Sequence, residues 1–327
     1  MKKTFKRILC LVMAAALVMA LAGCAKINYV TNGTIGAIRE VKSGEWENGG
    51  SADGAADGAD ANSEADTPKI EELKPGTYGG VDFKTMEDVA KYYVEAYNYS
   101  KTLMAKYKDD QGEIRDWYKI VMEEDLKIEN IKIDGKANST INNLAPTIVG
   151  GIYKPGLNGL VPSTNRDPKL DTDEWDGNGE SLTTSRLVAD DLLAANVKDN
   201  GDGTITMQLQ PKAVNMSAPG KDAQGHVFQS LGAIDSTVDQ ISQLSWSSGT
   251  TAENCVVDYK DGVATVTIDT KTKEITAADY SMKAYVKIQH ANILVIKDKS
   301  ASVDITMQWK YPASDDYLMK SRQVSRA

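Results

Sequence analysis

The chain has 327 residues, with 37 Lys and Arg against 46 Asp and Glu, a net charge of −9 and 41% hydrophobic residues. A balance this acidic repels the phosphates of nucleic acid and keeps the chain from lying flat on anionic lipid, so both partner classes are set aside. The length suits one sizeable core or two smaller ones.

Lys2, Lys3, Lys6 and Arg7 place four positive charges ahead of an uncharged apolar run from Ile8 to Leu21. That is the layout of a secretory signal peptide. The run is about 14 residues, short of the roughly 20 a helix needs to cross the hydrocarbon core, which makes a permanent transmembrane span the weaker reading. It ends in Leu21-Ala22-Gly23-Cys24, which resembles the bacterial lipobox: an aliphatic residue, two small residues and Cys. The resemblance implies removal of residues 1–23 as a signal peptide, acylation of Cys24, and a chain anchored by lipid at the extracytoplasmic face of the cell membrane. Two or more acyl chains hold a protein stably where one is marginal. Without the four N-terminal positive charges the net charge of −9 becomes −13. Cys10 leaves with the signal peptide and Cys24 takes lipid, so Cys255 is left as one thiol with no internal disulfide partner. No His or Arg stands beside it in Asn254-Cys255-Val256-Val257, which predicts a small buried hydrophobe rather than a nucleophile.

Residues 24–42 follow as the lipidated N-terminus, where alternation around Asn32-Gly33 suits either a small hairpin or a short unpaired stretch. Residues 43–74 read as an acidic tether. Between Ser43 and Asp66 there are seven carboxylates and no Lys or Arg, and almost no apolar surface to offset the entropy of ordering. A flexible spacer of about 30 residues spans roughly 30 Å.

The folded domain is expected over residues 75–312, with a polar tail at 313–327. Thr85 with Asp88 three residues on suits a helix N-cap, and Met86, Val89, Tyr93, Ala96, Tyr97, Ser100, Met104 and Tyr107 recur at spacings of three and four. This pattern predicts a long amphipathic helix. A strand is predicted over Leu126–Ile133, closed by Asp134-Gly135. A second helix is marked by Asn138 or Ser139 as cap and by Ile141, Leu144, Ala145, Ile148, Val149 and Ile152, with Pro146 setting a kink or the first turn. Tyr153–Thr184 is rich in Gly, Pro, Asn and Asp and reads as a long loop, mobile or functional. Strands at Val188–Val197 and Thr204–Leu209 flank the turn Lys198–Gly203. Strands at Asn254–Tyr259 and Val263–Ile268 flank Lys260-Asp261-Gly262, a hairpin pattern, and Ile234, Val238, Ile241 and Leu244 between the pairs fit a short helix.

The last two strands carry the clearest alternation. Tyr280, Met282, Ala284, Val286 and Ile288 interleave with Ser281, Lys283, Tyr285, Lys287 and Gln289. Ala301, Val303, Ile305, Met307 and Trp309 interleave with Ser302, Asp304, Thr306, Gln308 and Lys310. Each strand has one apolar and one polar face, as in an antiparallel sheet wetted on one side. The fold class expected is α+β: a curved antiparallel meander packed on one long N-terminal amphipathic helix and a second shorter one.

The run Asp269-Thr270-Lys271-Thr272-Lys273-Glu274-Ile275-Thr276, with Ala277-Ala278-Asp279-Tyr280 and the long strand after it, resembles a phrase in lipoproteins of clostridia-like gut bacteria that carry no assigned activity. The early Tyr92-Tyr93-Val94-Glu95-Ala96-Tyr97-Asn98 segment is similar to the helix that precedes the sheet in those proteins. The likeness spans Phe83 to Tyr311. At the level of fold, helix first and meander after is similar to the half-barrel lipoprotein carriers of the LolA and LppX type, which hold acyl chains between sheet and helix. That similarity carries over no ligand residue.

His226 and His290 are the only histidines and lie in different segments. A histidine-rich metal site or a Ser-His-Asp arrangement would have to recruit one of them. The chain has no Gly-x-Ser-x-Gly, no phosphate-loop Gly-Lys-Ser/Thr and no Gly-x-Gly-x-x-Gly after a strand. Setting Gly177 at the sixth place of a calcium loop leaves Thr172 first and Thr183 twelfth, where carboxylates belong; the Asn200–Gly203 turn fails likewise, with Lys198 first and Leu209 twelfth. An irregular Ca²⁺ site in Asp167–Glu180 competes with a plain solvated acidic loop. No catalytic residue, metal ligand or cofactor is singled out, and the chain is read as non-enzymatic.

The leading functional expectation is a membrane-tethered binding protein that encloses an apolar, lipid-like small molecule between sheet and helices. Its candidate ligand face is Tyr93, Tyr97, Ile141, Leu144, Ile148, Met282, Val286, Ile288, Val303, Ile305 and Met307. The competing expectation is an envelope interaction or structural module that touches a protein or glycan partner and holds no small molecule.

Overall fold

The computed structural model describes residues 66–137, 142, 159–162, 184–230, 244–293, 296–322 and 324–327. Among the described residues antiparallel sheet dominates and helices are few. The first elements among the described residues are a hairpin, β1 (Gly76–Tyr78) and β2 (Val81–Phe83), then helix α1 (Met86–Ser100). Next come β3 (Met104–Asp109), β4 (Ile114–Tyr118), β5 (Glu123–Ile133) and the short β6 (Lys136–Ala137). A 3₁₀ turn at Ala189–Asp191 leads into β7 (Leu192–Asp199), β8 (Thr204–Pro211) and β9 (Val214–Asn215). β10 (Leu244–Trp246) and a single turn of helix, α2 (Thr251–Asn254), precede β11 (Cys255–Tyr259), β12 (Val263–Asp269), β13 (Ile275–Ile293) and β14 (Ile296–Tyr311). The chain closes with α3 (Asp315–Arg322) and β15 (Val324–Arg326).

Ten strands form the main sheet, in the order β6-β5-β14-β13-β12-β8-β7, with β10 and β11 also on β13 and β9 on β11. β15, β3 and β4 form a separate three-stranded sheet in that order. β13 and β14 are the spine: Met282 pairs with Met307, Val286 with Val303 and Ile288 with Ala301. Paired residues in an antiparallel ladder point to one face, so the period-two pattern stacks these apolar side chains together. All of them are buried in one large core with Tyr93, Tyr97, Tyr259 and Trp309. Each large aliphatic side chain so buried contributes about 1.5–3 kcal/mol of transfer free energy, against the entropy of ordering.

Several expectations are corrected. α1 begins as the cap predicts: Thr85 Oγ1 accepts from the Asp88 N–H and the Asp88 carboxylate accepts from the Thr85 N–H. It stops at Ser100, because the N–H groups of Thr102 and Leu103 bond three residues back in tight turns and the chain turns into β3. Met104 and Tyr107, three residues apart, satisfy the helical spacing, yet both sit in that strand. Lys260-Asp261-Gly262 is no hairpin turn. β11 and β12 do not pair with each other; both lie antiparallel to β13 on the same side, Tyr259 opposite Ala284 and Val263 opposite Ser281. The three residues thus oppose Met282 and Lys283 as a bulge in one long strand, with Asp261 at φ 62°. The segment read as a polar tail holds α3 and β15. The folded part begins before Pro75: the Ala213 N–H donates to Asp66 Oδ2 (2.5 Å) and the Lys69 N–H to Gln210 Oε1 (2.6 Å).

The β7–β8 hairpin forms around Lys198–Gly203 as expected, with Asp199 opposite Ile205. Cys255 is buried. Leu244 opens β10 rather than ending a helix. The signal and tether segments to residue 65, the second predicted helix apart from Asn142, the Tyr153–Thr184 loop apart from residues 159–162 and 184, and the Ile234–Ile241 helix lie outside the described residues.

Candidate functional site

Period two along β13 and β14 places Met282, Val286 and Ile288 beside Val303, Ile305 and Met307, and α1 brings Tyr93 and Tyr97 to the same core. The Tyr93 and Tyr280 hydroxyls share a hydrogen bond at 2.7 Å. The Tyr97 hydroxyl donates to the Pro162 carbonyl at 2.5 Å, and the Trp309 indole N–H donates to Glu124 at 3.2 Å. Burial, with the second phenol next to it, pushes the Tyr93 hydroxyl well above its usual pKa, and burial pushes that of Tyr280 up too. Both stay neutral and act as hydrogen-bonding packing groups rather than as acids or bases.

The eight described residues of the predicted ligand face come together, and they come together as core. Their exposures run from 0% at Tyr93, Tyr97 and Met282 to 8% at Met307. A void wide enough for an acyl chain would leave its lining facing open space. Ile141, Leu144 and Ile148 lie outside the described residues.

Both histidines sit against a carboxylate. His226 Nδ1 is 2.7 Å from Asp191 Oδ2, which also accepts the Val188 N–H that opens the 3₁₀ turn. The His226 main-chain N–H donates to the Asp222 carbonyl, and the Asp222 carboxylate accepts from Ser217, Ala218 and Gly225, which closes the loop after β9. His290 Nδ1 lies 2.9 Å from Asp298 Oδ1, and the Ser247 hydroxyl donates to that same oxygen at 2.7 Å. The residue types are those of a catalytic triad but the wiring is not. The acceptors of the Ser247 hydroxyl are the Asp298 carboxylate and the His290 main-chain carbonyl (3.2 Å) rather than the imidazole. The arrangement fastens the chain after β10 to the outer end of the β13–β14 arm. The Ser247 hydroxyl, then His290, hold the Asp298 carboxyl below its usual range.

Among the described residues no three His, Cys, Asp or Glu side chains gather as metal ligands. The turn carboxylates Asp199 and Asp202 are taken up by local N–H groups: Asp199 accepts from Gly201 and Gly79, and Asp202 from Thr204. No described helix is long and apolar enough to cross a membrane. No family model, curated protein or solved structure matches the chain. Sequence reading missed the Ser247–Asp298 contact, because the two residues are 51 positions apart and neither belongs to a motif. It also left β4 unassigned, although Trp117-Tyr118 beside Ile114 is a strand-favouring composition.

Proposed function

We propose that the chain is a lipid-anchored module of the cell envelope, held at the extracytoplasmic face by acyl groups on Cys24, which works through its surface on a protein or glycan partner. The architecture we assign to it is a curved antiparallel sheet laid over the amphipathic helix α1. The observation that carries the surface reading is the packing of the sheet: the described residues best suited to line an apolar ligand site are 0–8% exposed and belong to one buried core with Tyr93, Tyr97, Tyr259 and Trp309. Support for the anchor comes from the basic start, the short apolar run and Leu21-Ala22-Gly23-Cys24.

Two measurements test the proposal. Cells fed alkyne-palmitate label the wild-type chain in the membrane fraction, and Cys24→Ala loses the label and leaves that fraction; a Cys24→Ala chain still labelled removes the anchor. Native mass spectrometry after mild purification gives the mass of the acylated chain alone. A further mass equal to a fatty acid or phospholipid, lost on gentle activation, would replace the surface reading with the enclosed-ligand one.

A further inference from the structure

The segment that leads into the domain is fastened to the polar face of the ten-stranded sheet. Ile205, Met207 and Leu209 of β8 are buried in the main core, and Thr204, Thr206 and Gln208 alternate with them on the other face, half-buried. Gln210 continues that second set, opposite Ala194 of β7, yet Gln210 is 0% and Ala194 2% exposed. Residues 66–69 lie over this corner. Gln210 Oε1 accepts the Lys69 N–H at 2.6 Å and its Nε2 donates to the Thr67 carbonyl at 3.1 Å, so one side-chain amide bonds the segment as a paired strand would. The Ala213 N–H, between β8 and β9, donates to Asp66 Oδ2 at 2.5 Å. The Lys69 ammonium reaches Asp261 in the β11–β12 bulge at 3.3 Å, and the Tyr285 hydroxyl donates to the same carboxylate at 2.9 Å.

These fastenings are polar and lie near solvent. From Asp66 to Pro75 no residue is fully buried, and Leu73 is the hydrophobic side chain there that packs against the main core. β8 beneath is the reverse: it pairs with β7 on one side and β12 on the other, and Ile205, Met207 and Leu209 are 0% exposed. Local opening is least costly where apolar contacts are few and hydrogen bonds are wet, and approaches global unfolding in core strands. The segment and the strand that holds it therefore stand at opposite ends of that range.

We propose that residues 66–73 form a strap that opens and closes on the sheet as one unit, and that it is the first part of the fold to yield when the chain is pulled from its N-terminal side. The unit follows from the fastenings: Thr67 and Lys69 share the Gln210 amide, and Asp66 is the next residue along, so releasing one loosens the others. Among the described residues Asp66 is the first to be fastened. A pull arriving along the tether therefore meets the Asp66–Ala213 and Lys69–Gln210 bonds before it meets β1, α1 or the sheet. Opening adds residues 66–73 to the spacer, about 28 Å when extended, and uncovers Gln210, Ala194 and the Asp261 carboxylate. With the lipid anchor proposed above, load between membrane and partner lengthens the tether before it strains the sheet. The opening itself does not depend on that anchor.

Hydrogen exchange of the full-length chain in mild detergent tests the opening. The Lys69 and Ala213 amides should exchange on the order of 100-fold faster than the Val266 amide in the middle of β12. Asp66→Ala, which removes the acceptor for the Ala213 N–H, should speed exchange at Lys69 as well and melt with its parent. Lys69→Pro, which removes the donor to Gln210, should do the same at Ala213. Lys69 and Ala213 amides as protected as that of Val266 overturn the proposal, as does a Lys69 amide that keeps its parental rate in Asp66→Ala. Single-molecule pulling between the N-terminal end of the chain and a handle on Lys287→Cys tests the order of events. The first step should be about 28 Å and reversible, at lower force than loss of the sheet, and absent when Asp66→Ala and Lys69→Pro are combined. A chain whose first step is loss of the whole sheet overturns the proposal. Neither measurement uses the acyl groups, so loss of the anchor reading leaves both results standing, and failure of the strap leaves the anchor untouched.

Discussion

A pair of hydroxyls in the middle of an apolar core shows how polar groups are admitted there. Tyr93 and Tyr280 are both fully buried, and each oxygen has the other within 2.7 Å. A buried hydroxyl without a partner costs about 1–3 kcal/mol, whereas removing both partners together is close to neutral. Tyr93→Phe should therefore destabilise the fold by about 1–3 kcal/mol in chemical denaturation. The double variant Tyr93→Phe, Tyr280→Phe should recover most of that loss. Losses that simply add would mean the hydroxyls are not partners. The same reasoning explains why sequence pattern alone misled about ligand binding. Alternation reports that Met282, Val286 and Ile305 are withdrawn from water, and it says the same whether a ligand or the protein's own side chains fill the space above them.

At the scale of elements, the Thr85–Asp88 cap sets where α1 begins. The N–H groups of Lys84 and Thr85 hold the Asp88 carboxyl below its usual value of 3.8. A carboxyl depressed in the folded state gives stability that is fully present above the unfolded pKa and is lost as pH falls through the folded one. Asp88→Asn should flatten the acid end of the stability curve below about pH 4, and Thr85→Ala should cost about 1 kcal/mol at neutral pH. An unchanged acid limb in Asp88→Asn would remove the cap from the account. The bulge between β11 and β12 rests on close approach at Gly262, where a Cβ would lie 2.8 Å from the Phe228 ring and 3.0 Å from Ser281 O. Gly262→Ala should lower stability by about 1–3 kcal/mol in urea titration, as overpacking does. No change would mean the bulge has room that the contacts deny. These two elements also mark the limit of local reading. The N-cap is written in adjacent residues and is legible. Lys260-Asp261-Gly262 uses the same residue types for a bulge as for a hairpin, and the choice depends on β13, which lies later in the chain. Met104 and Tyr107 match a period of three as well as a strand, and only the pairing of β3 with β4 and β15 decides between them.

For the whole molecule, the final residues are part of the fold rather than an appendage. Tyr317 and Leu318 of α3 join Tyr107, Val121 and Ala313 in a small core separate from the main one. The Tyr317 hydroxyl accepts from the Glu124 N–H, Ser314 donates to Glu123, and Arg326 donates to Asp315 and to the Ala313 carbonyl. These contacts fasten the end of the chain to β5 of the ten-stranded sheet, while β15 pairs with β3 of the smaller one. The sequence hid this, because residues 313–327 are mostly polar and, among those whose burial is described, only Ala313, Tyr317 and Leu318 are buried. Leu318 is fully buried, so Leu318→Ala should cost about 2–5 kcal/mol, the range for emptying a packed leucine site. Removal of residues 313–327 should lower the melting temperature further than Leu318→Ala does, because it also strips β15 from β3 and uncovers Tyr107. Calorimetry of the full-length chain, the point variant and the truncation checks the order. A truncated chain that melts with its parent would return the segment to a loose tail.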